Sequence, residues 1–76
     1  MNRRDLALIQ ETRAALADSS AKRRRREAGV RQVEVAALLR KAQSTISQWE
    51  NGLRVPDAAD ALAYGRALAA LGRRAA

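Results

Sequence analysis

Residues 32–52 read Gln32-Val33-Glu34-Val35-Ala36-Ala37-Leu38-Leu39-Arg40-Lys41-Ala42-Gln43-Ser44-Thr45-Ile46-Ser47-Gln48-Trp49-Glu50-Asn51-Gly52. Val35, Ala36 and Leu39 recur at the spacing of one helix face, which predicts a helix over 32–39. Ile46 and Trp49 anchor a second helix over 43–50, and Asn51-Gly52 supplies a turn signal that stops it. Only Arg40, Lys41 and Ala42 separate the two. A connection of about three residues sets such helices near 90–120° to each other, as in a helix-turn-helix.

Working outward, the segment from Asn2 to Ala17 reads as a helix capped by Asn2, with Asp5 in its first turn and Leu6, Ile9 and Leu16 on one face. Asp18-Ser19-Ser20 offers a break or the cap of a helix over 21–28, after which Gly29 and apolar Val30 fit a left-handed helix end. Pro56 and Asp57 start a last helix whose inward face is Ala61, Tyr64, Gly65, Leu68 and Leu71, and Gly72 is expected to end it. Tyr64 and Gly65 read as core and close-packing positions. Tyr64 has the alternative of reaching a dimer interface with Leu53, Val55 or Leu71. No strand-like alternation and no internal repeat interrupts the series. The expected fold is all-α with five short helices, divided into an N-terminal amphipathic helix (1–18), a helix-turn-helix domain (19–72) and a basic tail (73–76).

Composition narrows the function. The 76 residues amount to one domain, and their 15 Lys+Arg against 8 Asp+Glu leave a net charge of +7. Cysteine and histidine are absent, which excludes a disulfide framework, a thiolate or imidazole metal site, a cysteine nucleophile and a histidine base. No cofactor, metal, small-molecule ligand or enzyme activity is expected. The longest apolar runs, such as residues 67–71, fall far short of the roughly 20 residues of a membrane span. The large apolar side chains are few, with no Phe and much of the hydrophobic content in Ala. A core that small is marginal on its own, so close packing through small residues or a second copy of the chain is expected. Positive charge concentrates between residues 19 and 31, where Lys22, Arg23, Arg24, Arg25, Arg26 and Arg31 face Glu27 alone. Residues 1–18 are balanced. A concentrated cationic block suits a polyanion, most simply nucleic acid, although charge alone also suits a solvated basic helix.

The stretch Gln32–Leu39 followed by Ser44-Thr45-Ile46-Ser47-Gln48-Trp49-Glu50-Asn51-Gly52 resembles the lambdoid repressor, Cro and Xre-type regulators without a gap. The resemblance covers about residues 20–71. It implies a lambda-repressor-like DNA-binding domain in which Val35, Ala36, Leu39, Ile46 and Trp49 are core. There are departures: where that family usually has Gly, an aliphatic residue and Ser in the turn, this chain has Arg40, Lys41 and Ala42. Arg31 replaces the usual Ser or Thr cap. The turn then requires Arg40 in a left-handed conformation, at roughly 1 kcal/mol or more. Lys41 is expected to lay its stem along the core with its ammonium in water.

At 100° per residue, the direction opposite Ile46 and Trp49 on the second helix is occupied by Ser44, Ser47 and Asn51, flanked by Gln48 and Gln43. That face is uncharged and rich in amides and hydroxyls, groups that match base edges. The resemblance implies that Gln43, Ser44, Ser47 and Gln48 read bases in the major groove. Gln32, at the start of the preceding helix, and Asn51 are implied phosphate contacts, with Arg31, Arg40, Lys41 and Arg54 as flanking cations. Thr45 is expected to be a packing residue or a phosphate contact. Consecutive helical residues point 100° apart, so the four-arginine run cannot lie wholly in water. Arg25 shares a stripe with Ala21 and Ala28 and needs a carboxylate, for which Glu50 is the best candidate; the resembled family keeps such a pair, and a one-residue shift would substitute Arg24.

Two functional readings follow. The first is a sequence-specific double-stranded DNA-binding transcriptional regulator, a small Cro-like or phage-type repressor acting as a homodimer in a bacterial cytoplasm or nucleoid. The second is an antitoxin or adaptor that uses the same scaffold mainly to hold another protein, with the N-terminal helix as its partner surface. The high Ala and Arg usage is compatible with a GC-rich source.

Overall fold

The computed structural model describes residues 1–75, with side chains through Gly72. Five helices follow one another: α1 (Arg3–Ala17), α2 (Ser20–Glu27), α3 (Gln32–Leu39), α4 (Gln43–Glu50) and α5 (Ala58–Ala75). No strand occurs among the described residues.

The helix starts use their own short polar residues. The Asn2 side chain accepts from the Asp5 N–H at 2.8 Å, and Asp57 Oδ1 accepts from the Asp60 N–H at 2.8 Å. Both satisfy donors that an α-helix leaves orphaned at its N-terminus. Between α1 and α2 the chain reverses through Ser19 at φ 69°, and Asp18 Oδ1 accepts from Ser20 N–H at 2.8 Å. The cap of α2 is therefore built from Asp18 rather than from the Ser19 side chain, which makes no capping bond.

Three consecutive helices end in the same way. Gly29, Arg40 and Gly52 are left-handed, at φ 73°, 56° and 73°. In each case the following N–H reaches back five residues, from Val30 to Arg25, from Lys41 to Ala36 and from Leu53 to Gln48, at 2.9–3.1 Å. This paired-bond ending satisfies the last carbonyls of each helix and turns the chain sharply. The turn between α3 and α4 is thus made by an arginine in a place where glycine has no side chain to clash.

The core gathers Leu16, Ala21, Val30, Val35, Ala36, Ile46, Trp49, Tyr64, Leu68 and Leu71 from all five helices and the turn between α2 and α3. Trp49 meets Tyr64 edge to face, with ring centroids 6.2 Å apart. α1 belongs to this core: Ile9, Thr12 and Leu16 are buried, and the helix packs on α5. The contact is closest where Thr12 and Leu8 meet Gly65, at which a Cβ would collide with the Thr12 hydroxyl. Arg66 pairs with Asp5 at 3.0 Å, and the Arg13 guanidinium donates to the Pro56 carbonyl at 3.1 and 3.2 Å. Removing residues 1–18 would therefore remove part of the core along with any surface they carry.

Three expectations change. Leu6 is 51% exposed, because the Thr12–Gly65 approach turns α1 toward Leu8 and Thr12 and away from Leu6. Gly72 does not end the last helix, which continues to Ala75 beyond the buried anchors Leu68 and Leu71. Residues 73–75 thus extend α5 instead of forming a tail, and residue 76 lies outside the described residues. Tyr64 is fully buried, which fits its core reading, and Leu71 nearly so; Leu53 and Val55 are exposed.

Candidate nucleic-acid interface

α4 is held by two opposite kinds of contact. Ile46 and Trp49 bury against the core, and Glu50 beside them is only 2% exposed. An ionised carboxylate at such depth needs its oxygens filled. Arg25 supplies two parallel bonds, Nε to Oε2 at 2.7 Å and Nη2 to Oε1 at 2.8 Å. Tyr64 Oη donates to Oε2 at 2.7 Å, and Gln32 Nε2 donates to Oε1 at 3.0 Å. The remaining Arg25 nitrogen, Nη1, donates to the Val30 carbonyl at 2.7 Å. Arg25 is the partner, and Arg24 is exposed. No buried side-chain nitrogen or oxygen lacks a partner among the described residues.

The electrostatics follow from that packing. Burial pushes the Glu50 carboxyl upward, but hydrogen bonds from Arg25, Gln32 and Tyr64 outweigh it and hold the group below its ordinary range. The Glu50 hydrogen bond raises Arg25 against the opposing effect of burial. Burial first, and then the bond to Glu50, pushes the Tyr64 phenol well above its usual value. The cluster is a fixed ionic joint between α2, α4 and α5, and it reaches α3 through Gln32.

The other side of α4 is open. Gln43 and Ser44 are exposed, while Ser47, Gln48 and Thr45 are half-buried. Gln43 Nε2 donates to Gln32 Oε1 at 3.4 Å, so the first side chains of α3 and α4 touch. Asn51 Nδ2 donates to Ser47 Oγ at 3.2 Å, and Asn51 Oδ1 accepts from Lys22 Nζ at 3.5 Å. Lys22, Arg26 and Arg31 line the same hollow of about 600 Å³ as Gln32, Gln43 and Ser47. Uncharged amide and hydroxyl groups thus sit on α4 with cations of α2 and the α2–α3 turn beside them.

A second flank lies on the far side of α4, where Lys41, Thr45 and Arg54 line a smaller hollow with Asp57 and Asp60. The Lys41 ammonium, expected free in water, has a carboxylate partner. Its Nζ pairs with Asp60 at 3.2 Å, because the left-handed Arg40 swings the chain toward the start of α5. Arg31 pairs with Glu34 at 3.2 Å, whereas Arg40 and Arg54 are exposed. Gln32 turns its nitrogen inward to Glu50 and is shared between the ionic joint and Gln43.

Sequence reasoning did not assign Lys22 and Arg26 to this surface. Their signal was the basic run itself: with Arg25 turned inward, its one-residue neighbour Arg26 and Lys22, three positions earlier, project to the side where α2 borders α4.

The family model for the helix-turn-helix domain matches residues 22–70. The chain belongs to the Cro/C1-type helix-turn-helix family. Members of this family are DNA-binding transcription regulators, so α3 and α4 are its helix-turn-helix pair. The match begins inside α2 and leaves α1 outside it. Neither curated proteins nor solved structures gave a match. No helix is long and apolar enough to cross a membrane among the described residues.

Proposed function

We propose that this protein is a sequence-specific duplex-DNA-binding repressor of the small Cro-like or phage type, which inserts α4 into the major groove. One observation carries the reading: the exposed face of α4 is uncharged and built from amides and hydroxyls, while cations occupy both flanks. A helix face serving only solubility would ordinarily mix Lys and Glu. Gln43 and Gln48 offer the paired donor and acceptor that match adenine N6 and N7, and Ser44 and Ser47 adapt to several edges. Lys22, Arg26, Arg31, Arg40 and Arg54 supply the charge for phosphates, which fix register without reading sequence. Gln32 and Asn51 hydrogen-bond to Gln43 and Ser47 of α4 and would contact phosphate as well. Lys41 and Thr45 belong to the second flank, where Lys41 must exchange Asp60 for a phosphate to take part.

Function as a homodimer follows from the small reading surface: two copies would engage half-sites about one helical turn, roughly 34 Å, apart. Leu53 and Val55, 75% and 76% exposed between α4 and α5, support a second copy of the chain docking there. Selection of duplexes from a random pool tests the whole reading. A palindromic consensus with half-site centres about 10 base pairs apart is the expected result. Uniform retention of all sequences would leave only nonspecific binding.

A further inference from the structure

The segment between α4 and α5 is anchored at both ends, and its middle is held by α1, the helix outside the family match. At the front, the Leu53 and Arg54 N–H groups both donate to the Gln48 carbonyl, at 2.9 and 3.3 Å. At the back, Asp57 caps α5, and its carbonyl accepts from the Ala61 N–H at 2.8 Å. Val55 and Pro56 lie between these anchors, and proline has no N–H to give. Among the described residues, the hydrogen bonds that reach this middle stretch come from Arg13. Its Nε and Nη2 both donate to the Pro56 carbonyl, at 3.2 and 3.1 Å. Charge-assisted bonds of this kind are roughly twice as strong as neutral ones, and the planar guanidinium gives them a fixed direction.

What this clamp steadies is the second flank of α4. Lys41 is committed there to Asp60, so Arg54 is the exposed cation of that hollow with no carboxylate partner among the described residues. Asp57 and Asp60 line the same hollow. In a loose loop the Arg54 guanidinium would be free to turn to those carboxylates, and it would have to be ordered at the moment of binding; both lower affinity for a phosphate. We propose that Arg13 is a positioning residue for DNA binding, which fixes the Pro56 carbonyl, holds residues 53–57 in one course and so sets Arg54 against the phosphate backbone beside α4. α1 thereby strengthens binding through a bond to protein rather than to the duplex. The proposal rests on the reading that Arg54 contacts a phosphate.

The test is a double-mutant cycle, read by anisotropy on a selected and a scrambled duplex across a salt series. At about 0.1 M salt, Arg54→Ala should weaken both duplexes by about tenfold and flatten the salt slope by about one contact. If it does neither, the phosphate assignment fails and this proposal fails with it. Arg13→Ala should weaken both duplexes by about fivefold in the wild-type background, but by less than about twofold in the Arg54→Ala background. An equal loss in both backgrounds would mean that Arg13 acts through its own charge or through overall stability. No loss in either would mean that the clamp is idle. Each of these overturns the proposal and leaves Arg54 as a phosphate contact. Arg4→Ala removes one charge from an exposed position of α1 and should change affinity by less than about twofold; a fivefold loss there would reduce the Arg13 effect to charge. Arg13→Lys keeps the charge and much of the stem without the fork, and so guards against unfolding. In both Arg13 variants the backbone order parameters of Val55 and Asp57 should fall from about 0.85 to below about 0.6, with Ile46 and Trp49 of α4 unchanged. Unchanged values at Val55 and Asp57 would contradict the clamp.

Discussion

Both faces of α4 carry polar groups, Glu50 beside Ile46 and Trp49 inside and amides and hydroxyls outside, and the two use polarity for opposite ends. Inside, Glu50 accepts four hydrogen bonds from three residues, two from Arg25 and one each from Tyr64 and Gln32, so every bonding position is occupied. Outside, Gln43 and Ser44 are exposed, and Gln43 keeps unused bonding capacity. A satisfied polar group fixes geometry, whereas one with spare valence recognises something else. The contrast separates what folds the molecule from what it binds, and substitutions on each face should separate the same way.

The largest effect is expected inside. Glu50→Ala leaves Arg25 buried without its carboxylate and should lower folding stability by about 3–5 kcal/mol. A loss that size is comparable to the whole stability of a domain this small, so thermal unfolding should shift to much lower temperature. A Glu50→Ala protein that melts with wild-type cooperativity and midpoint would mean the ionic joint contributes nothing.

Outside, Gln43→Ala and Gln48→Ala should each weaken the selected site by about 1–3 kcal/mol and relax sequence preference, with stability unchanged. Anisotropy titrations against selected and scrambled duplexes would show it. Equal losses on both duplexes would turn these residues into ordinary backbone contacts.

pH sharpens the comparison further. The Glu50 carboxyl is held low in the folded state, so its contribution to stability is complete above the unfolded value near 4.5. It is lost as pH falls through the lower folded value. The Tyr64 phenol is held high, so its contribution is complete below about pH 10 and disappears as pH rises past that. Stability measured by urea titration should fall at both extremes; Tyr64→Phe should remove the alkaline loss due to this residue and, by taking a donor from Glu50, shrink the acid loss as well.

The helix ends provide a smaller test. A Cβ at Gly29 or Gly52 meets nothing within 4 Å, so Gly→Ala there should cost only the left-handed backbone penalty, about 1–2 kcal/mol. Arg40 already carries that penalty. Arg40→Gly should therefore raise stability by about 0.5–1 kcal/mol after the extra flexibility of unfolded glycine is included, while weakening DNA binding on all sequences. Arg54→Ala should leave stability alone and flatten the salt dependence of binding by about one phosphate contact.

Much of this architecture was legible locally. The spacing of Val35, Ala36 and Leu39 and of Ile46 and Trp49 marked α3 and α4, and Gly29 and Gly52 marked two helix ends. The inward arginine followed from the impossibility of keeping four consecutive helical residues in water. What local pattern did not carry were contacts between distant segments. The Thr12–Gly65 approach that rotates Leu6 outward joins residues 53 apart in the chain. The bond from Gln32 to Glu50 joins α3 to α4, and the capture of Lys41 by Asp60 spans the turn and the start of α5. Gly72 carried a genuine helix-stop signal that packing of Leu68 and Leu71 overrode.

The most direct test of α4 as the reading helix uses the base itself. Each adenine of the selected site is replaced in turn by 7-deazaadenine, which lacks the N7 acceptor, and affinity is measured for wild-type protein and for Gln43→Ala. One position per half-site should weaken wild-type binding by about tenfold and leave Gln43→Ala binding unchanged. If every replacement affects the two proteins equally, Gln43 does not touch a base, and the account of α4 is wrong.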